Sequence, residues 1–330
     1  STPPEVLPAA SEYLRIFCAG LVGFTVYNAG AAILTALGDG RRPLYFLAIS
    51  AVLNIVGDLL FVTVFHMGVA GVALATIFSE AVSAVLVLIV LADPDAPYSL
   101  RVKDLRLHAS TLRGIARLGL PSAVQGTIIS ASNVVVQAYF NGLGPISLAG
   151  YSASSKLDAF IQLPVQTMAM VVATFVAQNL GARQVARARQ GVRYAMAVGT
   201  GVTMLLSVLT LAFARPLLGI FSADPAVLDA GIQFMLVFAP SYFVLSFTQI
   251  LPGALRGAGN VHFATWTCVT CFVVLRQIYL YFVTQSVNTI TSVALAYPIT
   301  WALAAVAICV YYTRNNWFAF DAPVPVDTNE

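Results

Sequence analysis

The stretch that decides the fold is Leu34-Thr35-Ala36-Leu37-Gly38-Asp39, because it returns 221 positions later as Leu255-Arg256-Gly257-Ala258-Gly259-Asn260. At the same offset, Val72-Ala73-Leu74-Ala75 recurs unchanged as Val293-Ala294-Leu295-Ala296. Each match is short, but both share one offset and both lie at the same place relative to an apolar segment. This pattern is typical of a duplicated membrane protein.

The length of the repeat also makes a prediction about the start of the chain. At this offset, residues 119–221 have no counterpart in the first copy. We therefore expect the first copy to lack about its first hundred residues. The chain would then be the later part of a duplicated transporter.

The composition predicts an integral membrane protein. Hydrophobic residues make up 59% of the chain and charged residues only 9%, whereas a soluble domain carries about 25% charged residues. A spanning segment needs about 20 apolar residues, and the chain crosses lipid most economically as a helix. The sequence predicts an all-α protein with nine transmembrane helices, at 12–37, 44–66, 69–91, 119–140, 146–179, 191–214, 226–255, 262–284 and 292–312.

Basic residues are concentrated in alternate loops. Thirteen of the 17 lie on one side of the predicted spans, and the loops of the other side hold only Arg215. The thirteen are Arg41, Arg42, Arg101, Lys103, Arg106, Arg113, Arg117, Arg183, Arg187, Arg189, Arg193, Arg256 and Arg314. The positive-inside rule places them, and therefore the C-terminus, in the cytoplasm. Solvated loops explain these charges, so no nucleic-acid partner is implied.

We expect these nine helices to be part of a twelve-helix protein. Its helices would form two pseudo-symmetric six-helix bundles, of which the first is incomplete in this chain. The expected divisions are a partial N-terminal lobe of three helices at 1–91, a cytoplasmic linker at 92–118, a C-terminal lobe of six helices at 119–313 and a cytoplasmic tail at 314–330.

Seven short motifs along the whole chain occur in the same order as in a known protein family. They are Tyr27-Asn28, the loop 38–43, Leu53-Asn54-Ile55 with Asp58, the segment 68–73, the segment 175–182 with Gln178 and Asn179, the segment 255–259, and Val293 to Trp301. In these motifs the chain resembles the multidrug and toxic compound extrusion (MATE) transporters. The resemblance implies two six-helix bundles around a central cleft in the cell membrane, exporting organic cations or drugs in exchange for H⁺ or Na⁺.

The coupling residues of that family have no direct counterpart. Some members use carboxylates in the seventh and tenth helices, where this chain has Gln125 and Gln249. Another branch uses an aspartate in the first helix, which would lie before residue 1. The coupling site could therefore lie in part outside this chain.

Ionisable residues inside the predicted spans are candidates for transport, since each costs about 2.5–3.5 kcal/mol to insert in lipid. The candidates for binding substrate or cation are Glu80, Lys156, Asp158, Arg276 and Asp58, together with the polar Asn54, Asn28 and Gln125.

Each of these charges also has a structural interpretation. Asp58 shares a helix face with Asn54, so the pair either fixes helix packing or lines a cleft. Asp158 is expected to form an ion pair with Arg276 at similar depth in the second lobe. Glu80 and Lys156 have no evident partner, so they are the better candidates to bind and release a proton during transport.

A further set of residues is expected to shape the helices. Gly38 should end the first helix, Asp39 should cap the second and Pro43 should lie in its first turn. Pro164 should kink or open the fifth predicted span.

Transport remains the function favoured by the sequence. The chain has no phosphate-binding G-x-x-x-x-G-K-[ST] loop, no H-E-x-x-H and no G-x-S-x-G, so we predict neither an ATPase nor an enzyme. We expect no cofactor and no metal site, and a monomer that meets lipid and a small amphipathic or cationic substrate. The alternatives are a flippase for lipid-linked saccharides, whose cleft should be more basic, and an inactive fragment.

Overall fold

The computed structural model describes residues 7–96, 99–100, 103, 106 and 108–315, and these residues form helices and turns without a β-strand. Two compact units divide the chain, Ser1–Leu107 and His108–Glu330. The boundary between them falls inside the segment 92–118 that is predicted to be the linker. Residues 316–330, most of the predicted tail, lie outside the described residues.

The first unit contains three long helices. They are α1 (Leu7–Ala36), α2 (Arg41–Leu59), which continues as a π-helical turn at Leu60–Val64, and α3 (Gly68–Leu91). The helices are tied together by side-chain hydroxyls that donate to backbone carbonyls of a neighbour: Ser50 Oγ to Ser79 O at 2.9 Å, and Tyr27 Oη to Pro43 O at 3.0 Å. Such bonds join helices where no water competes.

The second unit contains ten helices. They are α4 (Ala109–Gly142), α5 (Pro145–Gly181), α6 (Val185–Ala212), α7 (Ala214–Gly219), α8 (Pro225–Phe238), α9 (Tyr242–Gly257), α10 (His262–Val269), α11 (Arg276–Ser286), α12 (Ile290–Ala294) and α13 (Ala296–Arg314). A 3₁₀ turn at Ala239–Ser241 joins α8 to α9, and a π-helical segment at Thr270–Leu275 joins α10 to α11.

Eight of the nine predicted spans coincide with helical segments of the described residues that are long and apolar enough to cross a membrane. The ninth, 119–140, lies inside α4, which is long enough but is not among the eight. Its apolar residues are interrupted by Ser122, Gln125, Thr127, Ser130 and Asn133, which lower its hydropathy. The count of nine spans is therefore not confirmed, although a multi-pass membrane protein is.

The repeated stretch adopts the same turn in both copies. Gly38 and Gly259 have φ values of +94° and +79°, and each ends its helix in the left-handed region that favours glycine. The residue after each glycine donates its backbone N–H to the carbonyl five positions back, from Asp39 to Leu34 and from Asn260 to Leu255, both at 2.9 Å. The turn geometry therefore agrees with the duplication that the sequence predicts.

Helices α5 and α9 pack with their backbones in close approach. A Cβ added at Gly253 would lie 2.5 Å from the carbonyl oxygen of Ala169, and one at Gly257 would lie 2.3 Å from that of Ala173. Two glycines four residues apart thus face two alanines four residues apart, the small-residue pattern that allows membrane helices to approach closely. Both contacts advance in the same direction along the two helices. The start of α9, eleven residues before Gly253, therefore lies beside the middle of α5.

Candidate functional site

Asp158 is a carboxylate in the second unit that pairs with no basic residue in the part of the chain that the structure describes. It lies on α5, and its Oδ2 accepts a hydrogen bond of 2.5 Å from the amide of Gln162, one turn further along the helix. Its Oδ1 is buried and has no hydrogen-bond partner among the described residues. The phenol of Tyr242, at the start of α9, lies close enough to interact with the carboxylate.

Arg276 is a buried arginine, with only 2% of its surface exposed. It is the first residue of α11, directly after the π-helical segment. Its guanidinium donates to Thr300 Oγ1 at 3.2 Å and to Asn133 Oδ1 at 3.2 Å, and it lies 4.3 Å from the centre of the Tyr297 ring. Neutral oxygens and an aromatic face thus surround its charge.

The predicted ion pair between Asp158 and Arg276 is wrong. No ion pair joins the two residues, because each binds neutral neighbours on its own side. The ring of Tyr297 lies against the Arg276 guanidinium, and its hydroxyl lies 3.2 Å from that of Tyr151. Tyr297 also packs against Phe238, which packs against Tyr242 beside Asp158. The two charges are therefore linked through aromatic side chains.

A cluster of aromatic rings, most of them packed edge to face, contains Tyr242 beside Asp158 and Tyr297 beside Arg276. The ring centres lie between 4.1 and 6.4 Å apart, distances at which aromatic pairs attract. The members of the cluster are Phe140, Tyr151, Phe234, Phe238, Tyr242, Tyr297 and Trp301. The rings form a low-dielectric environment in which an unpaired charge interacts strongly with a bound ion.

The sequence reasoning missed the neutral members of this site. Tyr242, Tyr297 and Gln162 were not among its candidates, although Tyr297, Thr300 and Trp301 follow the spacing of one helix face. This polar and aromatic stripe on an otherwise apolar helix could have identified Tyr297 as a candidate.

Two candidates of the first unit, Asn54 and Asp58, lie one turn apart on α2. The Asn54 amide donates to Thr76 Oγ1 at 3.3 Å, while Oδ1 of Asp58 is buried without a hydrogen-bond partner. Glu80, on α3, is half-buried and no described residue contacts its carboxylate through a hydrogen bond or an ion pair. Asn28 is exposed and donates to the carbonyl of Phe24 in its own helix.

Lys156 and Gln125 lie apart from the Asp158 carboxylate. Lys156 is exposed on α5, with its ammonium 5.3 Å from the ring centre of Phe221. Gln125, on α4, interacts with the buried thiol of Cys268. The part of either residue in transport stays a prediction.

The turn residues at the start of α2 act as the sequence predicts, and the kink expected at Pro164 stays a prediction. Asp39 Oδ1 accepts from the backbone N–H groups of Arg41 and Arg42, each at 3.2 Å, at the start of α2. Pro43 is the third residue of that helix. Pro164 is accommodated within α5, which continues past it to Gly181.

Two polar residues close the end of α5. The Asn179 amide donates to the carbonyl of Phe175 at 2.8 Å, and the Asn179 carbonyl accepts from the backbone of Gln184 beyond the helix. Gln178 lies beside it in the same turn.

Comparison with known proteins identifies the relatives of this chain. The model of the MatE family matches residues 1–60 and 121–282. The probable multidrug resistance protein YpnP of Bacillus subtilis is 27% identical over 319 residues, which cover 96% of this chain and 71% of that protein. The FAD transporter of Shewanella oneidensis is 26% identical, with coverage of 94% and 69%.

Solved structures share the fold. An outward-facing multidrug resistance MATE family transporter of the MOP superfamily superposes with a TM-score of 0.90 at 20% identity, and the match covers 96% of this chain and 72% of that one. A MOP superfamily transporter from Pyrococcus furiosus, described as having a binding pocket of reverse polarity, gives a TM-score of 0.89 at 20% identity.

Proposed function

Because the chain belongs to the MatE family of multidrug efflux transporters, we propose that it exports organic cations or drugs by antiport with H⁺ or Na⁺. The observation that carries this proposal is the Asp158 carboxylate, which lies beside the Tyr242 phenol and has one buried oxygen that no described residue hydrogen-bonds. A charge in such a place is costly unless a counter-ion or a proton neutralises it. Asp158 is thus suited to hold the coupling ion.

The neighbours of Asp158 define how an ion would be held and released. Gln162 fixes one carboxylate oxygen and leaves the other open for a proton or a metal cation. The Tyr242 phenol offers a second oxygen within reach. Since α5 and α9 carry these groups, a movement between the two helices would change the affinity for the ion, which is the link that antiport requires.

The membrane arrangement completes the proposal. We take α4 as the ninth span, since it is long enough and its polar residues would face other helices. The nine spans belong to a twelve-helix layout of two pseudo-symmetric bundles, with the C-terminus in the cytoplasm and the protein a monomer in the cell membrane. Glu80, Lys156 and Asp58 remain further candidates for ion or substrate binding.

One observation favours the alternative of a flippase for lipid-linked saccharides. Arg276 is a buried cation that pairs with no carboxylate of the described residues, and a phosphate group is a natural ligand of a guanidinium. A transport assay with both cargo classes therefore decides between the two functions, and an inactive chain would transport neither.

The test uses protein produced from its natural gene in inverted membrane vesicles. A proton or sodium gradient is imposed, and the uptake of ethidium, an organic cation, is followed by fluorescence. Asp158→Asn is compared with Asp229→Asn, a carboxylate that is exposed and pairs with Arg215 at 3.4 Å. Both substitutions remove one negative charge, so only the position differs.

We expect Asp229→Asn to transport like the unmodified protein and Asp158→Asn to lose uptake driven by the gradient. The yield and thermal stability of both variants in detergent show whether they fold. A folded Asp158→Asn variant with normal gradient-driven uptake would contradict the assignment. Movement of a fluorescent lipid-linked saccharide without ethidium uptake would support the flippase instead.

A further inference from the structure

An apolar groove of about 600 Å³ runs along the outside of the second unit. Helix α9 forms its floor, and α6 and α13 form its walls. The lining residues include Met196, Gly201, Met204, Phe247, Leu251 and Cys309. At Gly201 the wall is open, since a Cβ there would meet no atom within 4 Å.

One end of this groove is basic. Arg189 and Arg193 precede Met196 and Thr200 on α6 with spacings of four, three and four residues, so they continue the face that lines the groove. Both arginines are exposed, and both interact electrostatically with Tyr312, which lines the groove from α13. Arg314 lies two residues further along α13.

We propose that this groove binds an anionic glycerophospholipid of the inner leaflet, with an acyl chain between α6 and α13 and its phosphate at Arg189 and Arg193. A long apolar groove with positive charge at one end matches a molecule that has an apolar tail and an anionic head. The helices belong to segments that are long and apolar enough to cross a membrane, and basic sites between membrane-spanning helices bind anionic head groups. The positive-inside rule places the basic end in the cytoplasmic leaflet.

The two parts of the lipid make separable contributions. Each basic residue near a membrane surface favours an anionic lipid by about fivefold in affinity. The acyl chain contributes through burial in the groove, whatever the head group. A substitution at the basic end should therefore weaken the binding of anionic lipid only, whereas a substitution in the wall should weaken the binding of both kinds of lipid.

The experiment counts bound lipids by native mass spectrometry on the full-length protein in detergent. The probes are dioleoyl phosphatidylglycerol, which is anionic, and dioleoyl phosphatidylcholine, which is not. Arg193→Gln removes a charge from the basic end, and Arg187→Gln is its control. Arg187 lies about 120° around the same helix from Arg193 and donates to Gln184 at 3.3 Å.

A second pair of variants tests the groove. Gly201→Leu fills the open wall, and Gly119→Leu, at another helical glycine with open space around it, is its control. We expect Arg193→Gln to weaken phosphatidylglycerol binding about fivefold without affecting phosphatidylcholine. We expect Gly201→Leu to weaken the binding of both lipids, and both controls to leave binding unchanged.

Several results would overturn the proposal. Equal affinity for the two lipids, or equal effects of Arg193→Gln and Arg187→Gln, would remove the head-group site. Loss of phosphatidylglycerol binding in Arg193→Gln with normal binding in Gly201→Leu would mean surface attraction without the groove. A dimer mass that disappears in Gly201→Leu would assign the groove to a second copy of the chain.

Discussion

Replacing Gly257 by alanine should separate the two helices that carry Asp158 and Tyr242. The new Cβ would lie 2.3 Å from the carbonyl oxygen of Ala173 and 3.0 Å from its Cα. Both atoms belong to the backbone, so no side-chain rotation relieves the contact. Helix α9 must therefore move away from α5 by about 1 Å to reach ordinary packing distance.

The magnitude follows from two opposing contributions. Overpacking a well-packed position costs about 1–3 kcal/mol, and a contact with backbone belongs at the upper end of that range. Alanine in place of a helical glycine returns about 1 kcal/mol through helix propensity. We expect Gly257→Ala to lower the free energy of unfolding by about 1–2 kcal/mol.

Gly201→Ala is the matched control, because Gly201 is also helical and has no atom within 4 Å of an added Cβ. Gly201→Ala gains the higher helix propensity of alanine without a new close contact, so this variant should be at least as stable as the unmodified protein. Reversible unfolding of the purified protein in mixed micelles measures both variants. Equal stability of Gly257→Ala and Gly201→Ala would refute the close approach of α5 and α9.

The same unfolding assay tests two further substitutions. Asp39→Ala should cost about 1 kcal/mol, because its carboxylate accepts from backbone N–H groups at the start of α2; an unchanged stability would mean that the turn needs no cap. Arg276→Lys should cost about 1.5–3 kcal/mol, because an ammonium cannot donate to Asn133 and Thr300 in the same fork. Stability within 0.5 kcal/mol of the unmodified protein, the usual range of a surface substitution, would contradict that account.

Much of the architecture could be predicted because it depends on local pattern. Apolar length alone located eight of the spanning segments, since lipid requires each one to satisfy its own backbone. The turn around Gly38 and Gly259 could be predicted because only a few residue types favour a left-handed helix end. The capping role of Asp39 follows from the same local chemistry.

The site could be predicted only in part, because its geometry depends on how helices are rotated against each other. Asp158 and Arg276 have opposite charge and similar depth, which suggested a pair. The sequence does not reveal that Tyr242 and Tyr297 reach these charges from other helices. Apolar length also does not reveal that Asn133, on α4, accepts a hydrogen bond from Arg276.

The π-helical segment Thr270–Leu275 determines which face of the helix Arg276 occupies. A π-helix holds more residues in each turn than an α-helix, so the segment changes the phase between the residues before and after it. An ordinary helical wheel drawn through 262–286 would therefore place Arg276 on the wrong face by about 100° for each extra residue. A one-residue deletion in this segment would restore a regular helix and point the guanidinium away from Asn133 and Thr300. The direction of this buried charge is thus specified by the number of residues before it, as much as by their identity.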